Sequence, residues 1–161
     1  MKDSYKYFYE EYSNDMSKIV KAHKKAVNPH VVGIYPNSLS VALHLSNALN
    51  CPLSIVTVIN GTADWLINVL EDKTLRNKPR FFPTVITIAD QYDSGEQMRA
   101  VQKLPEFDKN IMCTFITLFG SKNDDNVFYE HEQLYKKIFY PWSDVVERRI
   151  VFKDDKIEIV Q

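Results

Sequence analysis

Val85–Met98 reads VITIADQYDSGEQM, and the reading of this stretch decides the fold. Val85 to Ala89 is apolar and β-branched, the composition of a short buried strand. Asp90 to Asp93 breaks it into an acid-bearing turn, and Ser94-Gly95-Glu96-Gln97 opens a helix. Strand, turn and helix start together suit an anion such as phosphate. Free N–H groups at a helix N-terminus point at the anion, and the helix dipole favours its charge. Asp-Ser-Gly is equally an ordinary turn, and Ser or Asp an ordinary cap. Local sequence does not separate the two.

The flanking segments give the context. Val31-Val32-Gly33-Ile34-Tyr35 predicts a buried strand, Pro36-Asn37-Ser38 a turn with an N-cap, and Leu39 to Leu49 an amphipathic helix. Leu53 to Ile59 predicts the next strand. Asn60-Gly61-Thr62 is a turn, with a helix expected through Leu70. Thr84–Ala89 is the third strand, Gly95–Leu104 the helix after it, and Ile111–Phe119 the fourth strand. Upstream, Ser4 to Val27 carries apolar residues at three- and four-residue steps, which predicts one long helix ended by Asn28-Pro29. Its aromatics, Tyr5 to Tyr12, suit core packing or a dimer face. Downstream, Gly120–Asn126 is a polar loop and Glu130–Lys137 one or two helical turns. Arg149–Lys153 and Lys156–Val160 form a hairpin about Asp154-Asp155. Alternating strands and helices imply an α/β domain, its mainly parallel sheet flanked by helices. Ligands of such sheets bind beyond the strand C-terminal ends, where both Tyr35–Ser38 and Asp90–Gln97 lie.

The bulk numbers narrow the class. A chain of 161 residues suits a single domain, 1–161. Twenty Lys and Arg against 21 Asp and Glu give a net charge of −1, which argues against a general nucleic-acid or membrane-surface binder. Cys51 and Cys113 read as two buried thiols without zinc or disulfide spacing. The N-terminus lacks the apolar core of a signal peptide, so a cytoplasmic location is the default expectation. His23, His30, His44 and His131 have no metal-ligand spacing and read as surface or capping residues. Lys73, Arg76, Lys78 and Arg80 form a basic stretch, read first as a solvated loop.

From Val31 to Trp142 the chain resembles the type I phosphoribosyltransferases. Their signature is an apolar strand, two acids, two variable residues, Asp-Thr-Gly, any residue, then Thr. Here Ile86-Thr87-Ile88 supplies the strand, Asp90 the second acid and Asp93 the next. Ser94-Gly95 match Thr-Gly. Phe139-Tyr140-Pro141-Trp142 resembles the Pro-Trp-acid ending of the xanthine-guanine-like purine members. The resemblance implies a core over about residues 1–119 and a small C-terminal hood with the hairpin over 120–161. It implies transfer of ribose 5-phosphate from phosphoribosyl pyrophosphate (PRPP) to a purine base, a 6-oxopurine favoured. The implied cofactor is Mg²⁺, with Asp90 its protein contact through the ribose and PRPP, and the implied assembly is a homodimer. Asp90 would orient the ribose, and Asp93 would act as general base or hold the base N–H. Ser94, Gly95, Glu96 and Gln97 would bind the 5′-phosphate, and Tyr35, Pro36, Asn37 and Ser38 the pyrophosphate. Lys122, Ile138, Phe139, Tyr140 and Trp142 would surround the base. The basic stretch would close over PRPP.

Several positions depart from that pattern. Ala89 stands where the first acid is usual, and Gln97 replaces the closing Thr. The pyrophosphate loop has no glycine, and Pro36 brings no N–H donor. Ser121 falls where purine-specific members carry a Lys, and Lys137 where an aromatic stacks on the base. Two functions therefore stay open. One is a purine phosphoribosyltransferase making a nucleoside monophosphate. The other is a catalytically degenerate binder of nucleotide or PRPP, acting as regulator or sequestering protein.

Overall fold

A computed structural model describes residues 2–69, 84–91, 95–107, 112–120, 127–132, 135–140, 149–153 and 156–160. The chain divides into two compact units, 15–133 and a smaller one of 1–14 with 134–161.

The larger unit is a six-stranded sheet. Its strands are β2 (Pro29–Tyr35), β3 (Leu53–Ile59), β4 (Thr62–Ile67), β5 (Thr84–Gln91), β6 (Met112–Gly120) and β7 (Val127–Glu132). Their spatial order is β4-β3-β2-β5-β6-β7, and every pair is parallel except β3 with β4. Residues 30–34 of β2 are all buried, as a central strand covered on both faces requires. Helix α2 (Leu39–Leu49) follows β2 and buries Val41, Ala42 and Leu45. It lies so close to β2 that a Cβ on Gly33 would stand 2.6 Å from the Ala42 Cβ. Glycine here is a packing requirement, since an added methyl would force backbone apart. Helix α3 (Glu96–Gln102) buries Met98, Ala100 and Val101. These pack into one apolar cluster with Val32, Ile34, Val56, Ala63, Val85, Ala89 and Phe115.

Three expectations are corrected. The helix after Asn60-Gly61 is the strand β4. Asn60 and Gly61 both have positive φ, 51° and 73°, the pairing of a two-residue hairpin turn. Ala63 and Trp65 then point inward from alternate positions of β4, and Trp65 stacks on Phe107 at 6.2 Å. The helical turns expected over 130–137 are the end of β7 and strand β8 (Tyr135–Phe139). The N-terminal helix is shorter than its periodicity suggested. Lys2–Lys6 is strand β1, paired in parallel with β8, and α1 covers Tyr9–His23. Glu11 accounts for the start of α1. Its carboxylate accepts from the Phe8 N–H at 2.9 Å, the backbone half of a capping box, and from the Tyr5 hydroxyl at 2.5 Å. Strands β9 (Arg149–Lys153) and β10 (Lys156–Val160) form the expected antiparallel hairpin. The basic stretch Lys73–Arg80 lies outside the described residues. None of the described helices is long and apolar enough to cross a membrane.

His30 is also corrected, from surface to core. It is 3% exposed in β2, and its Nε2 lies 2.8 Å from Ser54 Oγ. The same oxygen accepts from the Val69 N–H at 3.0 Å. Ser54 Oγ thus links the buried ring to the Val69 backbone. Burial pushes the His30 pKa down to about 4. The unfolded chain therefore binds a proton near pH 6.5 that the folded chain refuses until about pH 4. Stability should be full above pH 6.5 and fall by roughly 3 kcal/mol as pH drops toward 4. Urea unfolding at a series of pH values measures this, and His30→Asn should flatten the profile. An unchanged slope in that variant would assign the pH dependence to another group.

Candidate functional site

The site is built where β2 and β5 end. These strands pair in parallel with Gly33 opposite Ile88. Counting on by two from that pair reaches Tyr35 on β2 and Asp90 on β5, so both turns leave one edge at one level. Neighbouring strands stand about 4.8 Å apart, so the two strand ends adjoin.

The β2 turn is Tyr35-Pro36-Asn37-Ser38. Tyr35 is 47% exposed, and the Tyr35–Pro36 bond is cis. Pro36 and Asn37 are exposed and Ser38 is fully buried. Ser38 occupies the N-cap position of α2, as the sequence predicts, but its hydroxyl does not cap. It donates back to the Ile34 carbonyl, and its N–H donates to the same oxygen at 3.3 Å. The side chain thus closes the turn that carries the chain from strand to helix.

On β5 the backbone continues as strand through Asp90 to Gln91. Tyr92, Asp93 and Ser94 lie outside the described residues, as does the side chain of Asp90. Gly95 is the N-cap residue of α3, buried, with φ 71°, and its carbonyl accepts from the Arg99 N–H at 3.0 Å. Left-handed backbone of this kind favours glycine, so Gly95 fits its place for a local reason. Glu96 and Gln97 are exposed on the first turn of α3. Ala89 is 2% exposed and belongs to the core cluster beneath α3. A small apolar residue closes that core, which is a packing reason for Ala at this position.

The residues expected in the hood divide differently. Lys122 and Trp142 lie outside the described residues, and Phe139 is described by its backbone alone. Ile138 and Tyr140 are buried within the smaller unit, where the Tyr140 ring meets Tyr7 edge-on at 6.1 Å.

Sequence reading missed one residue at the strand edge. Gln91, Phe119 and His131 stand in register across β5, β6 and β7. The His131 ring stacks on Phe119 at 5.1 Å, and its Nε2 lies 2.5 Å from the buried Asp15 carboxylate. Asp15 also pairs with Lys18 at 2.9 Å. A His and an Asp separated by more than a hundred residues carry no local signature, so only the fold brings them together. The cysteines are half-buried rather than buried. Burial pushes the Cys113 thiol up to about 11, with the Thr87 hydroxyl pulling the other way, and raises Cys51 as well. Thiols held protonated at neutral pH make poor nucleophiles.

No family model and no curated protein matches this sequence. Solved structures do match. Helicobacter pylori xanthine-guanine-hypoxanthine phosphoribosyltransferase superposes with a TM-score of 0.66 at 15% identity, covering 89% of this chain and 96% of that one. A purine phosphoribosyltransferase from Pyrococcus horikoshii gives 0.67 at 16%, covering 87% and 94%. A Neisseria gonorrhoeae protein solved with bound ppGpp gives 0.60 at 18%, covering 92% and 96%.

Ser38 tests the turn itself. Ser38→Ala removes a buried donor and leaves the Ile34 carbonyl with one partner fewer. Chemical denaturation should register a loss of about 1–2 kcal/mol. No loss would show that the backbone N–H alone satisfies that carbonyl.

Proposed function

We propose, for a chain that carries the type I phosphoribosyltransferase fold, that it transfers ribose 5-phosphate from PRPP to a purine base and releases pyrophosphate. The observation that supports this is the level exit of two turns from the paired strands β2 and β5. One would meet the pyrophosphate and the other the 5′-phosphate of the same PRPP molecule. The base nitrogen attacks C1 of the ribose as the bond from C1 to the pyrophosphate oxygen breaks. Asp90 bears on the ribose hydroxyls and orients the sugar. Asp93 takes or holds the proton that the base nitrogen sheds. Gly95, Glu96 and Gln97 offer backbone N–H groups to the 5′-phosphate, with Ser94 adding its hydroxyl. Lys122, Phe139 and Trp142 belong to the base side of this reading, a 6-oxopurine is its favoured acceptor, and a homodimer its favoured assembly.

Mg²⁺ is the ion this reading calls for. Among the described residues no three His, Cys, Asp or Glu side chains are grouped to hold a metal. In this reading Asp90 would be the protein residue that holds the ion when PRPP is bound. Bound there it would supply charge neutralisation for the departing pyrophosphate.

A second reading has its own observation. In the β2 turn Pro36 brings no N–H, and the Ser38 N–H is spent on Ile34. A loop with so few backbone donors suits a protein that retains a nucleotide without transferring ribose. The Neisseria gonorrhoeae structure with bound ppGpp is a similar fold holding a guanine nucleotide.

Incubation with PRPP, Mg²⁺ and mixed purine and pyrimidine bases, followed by mass spectrometry, separates the two. The expected outcome is a new nucleoside monophosphate, its rate reduced about 100-fold or more in Asp93→Asn. Absence of product, with a nucleoside monophosphate or ppGpp retained through gel filtration, would favour the binder. Undiminished turnover in Asp93→Asn would remove Asp93 from the mechanism.

A further inference from the structure

Asn60 and Gly61 make the turn between β3 and β4, and Asn60 is the only asparagine of the chain that glycine follows. Asn60 is exposed. Strand β4 is outermost in its sheet and pairs, among the described strands, with β3 alone. The tip is held by the Ile59–Thr62 and Val58–Ala63 pairs on that one side. Exposed hairpin tips of this kind open locally at low cost. Among the described residues no acceptor meets the Gly61 N–H. Glycine also leaves that nitrogen without a side chain of its own to shield it. The Asn60 side-chain amide is tethered one residue away, so attack on it is intramolecular and needs no bound partner.

We propose that Asn60 is a site of spontaneous covalent modification. The Gly61 nitrogen gives up its proton to hydroxide and attacks Asn60 Cγ. A bond forms from Cγ to that nitrogen, the bond from Cγ to the amide nitrogen breaks, and ammonia leaves. Water then opens the cyclic imide. Opening at the side-chain carbonyl gives aspartate, and opening at the main-chain carbonyl gives isoaspartate. Water is the only co-reactant, and nothing is oxidised or reduced. The two products fare differently in this turn. Asp-Gly suits the same left-handed pair as Asn-Gly, so aspartate keeps the hairpin and adds one negative charge. Isoaspartate routes the main chain through Cβ and lengthens a two-residue loop whose length sets the register. The β4 pairing then shifts, and Trp65 loses its stack on Phe107.

The full chain is held in mildly alkaline buffer, then digested and mapped by mass spectrometry. The peptide bearing Asn60 should gain the mass of an amide-to-acid exchange before any other asparagine does, and faster as pH rises. Gly61→Asn keeps the turn, because Asn tolerates positive φ and a Cβ there meets only the flexible end of Glu96. By crowding the nitrogen it should slow the loss of Asn60 several-fold. A Trp142→Phe background leaves Trp65 as the single tryptophan. There the isoaspartyl fraction should differ from fresh protein in Trp65 emission, and the aspartyl fraction and Asn60→Asp should not. Loss of Asn60 only in urea, or first loss at another asparagine, overturns the proposal, because the folded turn then protects the amide. Loss in Gly61→Asn as fast as in wild type overturns the part given to the bare nitrogen. An isoaspartyl fraction with unchanged Trp65 emission overturns the predicted shift of β4.

Discussion

Strand β2 is the member on which the rest depends. It pairs with β3 on one side and β5 on the other, and residues 30–34 are covered on both faces. On one face α2 presses against Gly33, and on the other Val32 and Ile34 enter the cluster under α3. The register with β5 is consequently fixed from both sides. A slip by one residue would turn each β2 side chain to the wrong face and separate the levels at which the two turns emerge. The geometry of the site is thus a property of the core, and the turns inherit it.

The parallel strands were legible because their β-branched runs suit strands buried on both faces. Helix α2 was legible from its apolar spacing. What failed did so where a pairing partner decided the outcome. The spacing after Asn60-Gly61 suits a helix, but Asn-Gly between two apolar runs is a strong hairpin signal, and the hairpin prevails. Residues 130–137 are polar enough to suit a helix in isolation, yet they finish β7 and form β8. Lys2–Lys6 shares its aromatic spacing with the helix behind it, and only β8 makes it a strand. Glu11, three residues after Phe8, was a readable start signal for α1 that periodicity overrode.

The candidate site shows the same division. Its location at the strand ends, and the glycine at the start of α3, followed from sequence order. The roles of single side chains did not. Ser38 bonds backward to Ile34 rather than forward into the helix, because the buried turn needs that carbonyl satisfied. Ala89 reads as a missing acid until its burial shows a packing role. His30 reads as a surface residue, since nothing near it in sequence announces Ser54 or Val69. Each of these depends on a neighbour contributed by another element.

The two turns at the strand ends are unequal, and that inequality bears on the proposed function. The turn before α3 has a left-handed glycine at the helix start, which in the proposed reading would face the 5′-phosphate. The β2 turn has a proline and a serine whose N–H is already committed. Ribose transfer needs both ends of PRPP held, because the 5′-phosphate anchors the sugar while the pyrophosphate leaves. Retention of a nucleotide needs the α3 turn alone. If the β2 turn is weak, the burden of neutralising the pyrophosphate shifts to a metal ion carried by PRPP and to side chains such as Asn37. A transferase built this way would depend steeply on Mg²⁺ yet hold nucleoside monophosphate normally. Loss of the β2 turn would then cost turnover long before it cost nucleotide binding, so this fold can pass from enzyme to binder without rebuilding its core.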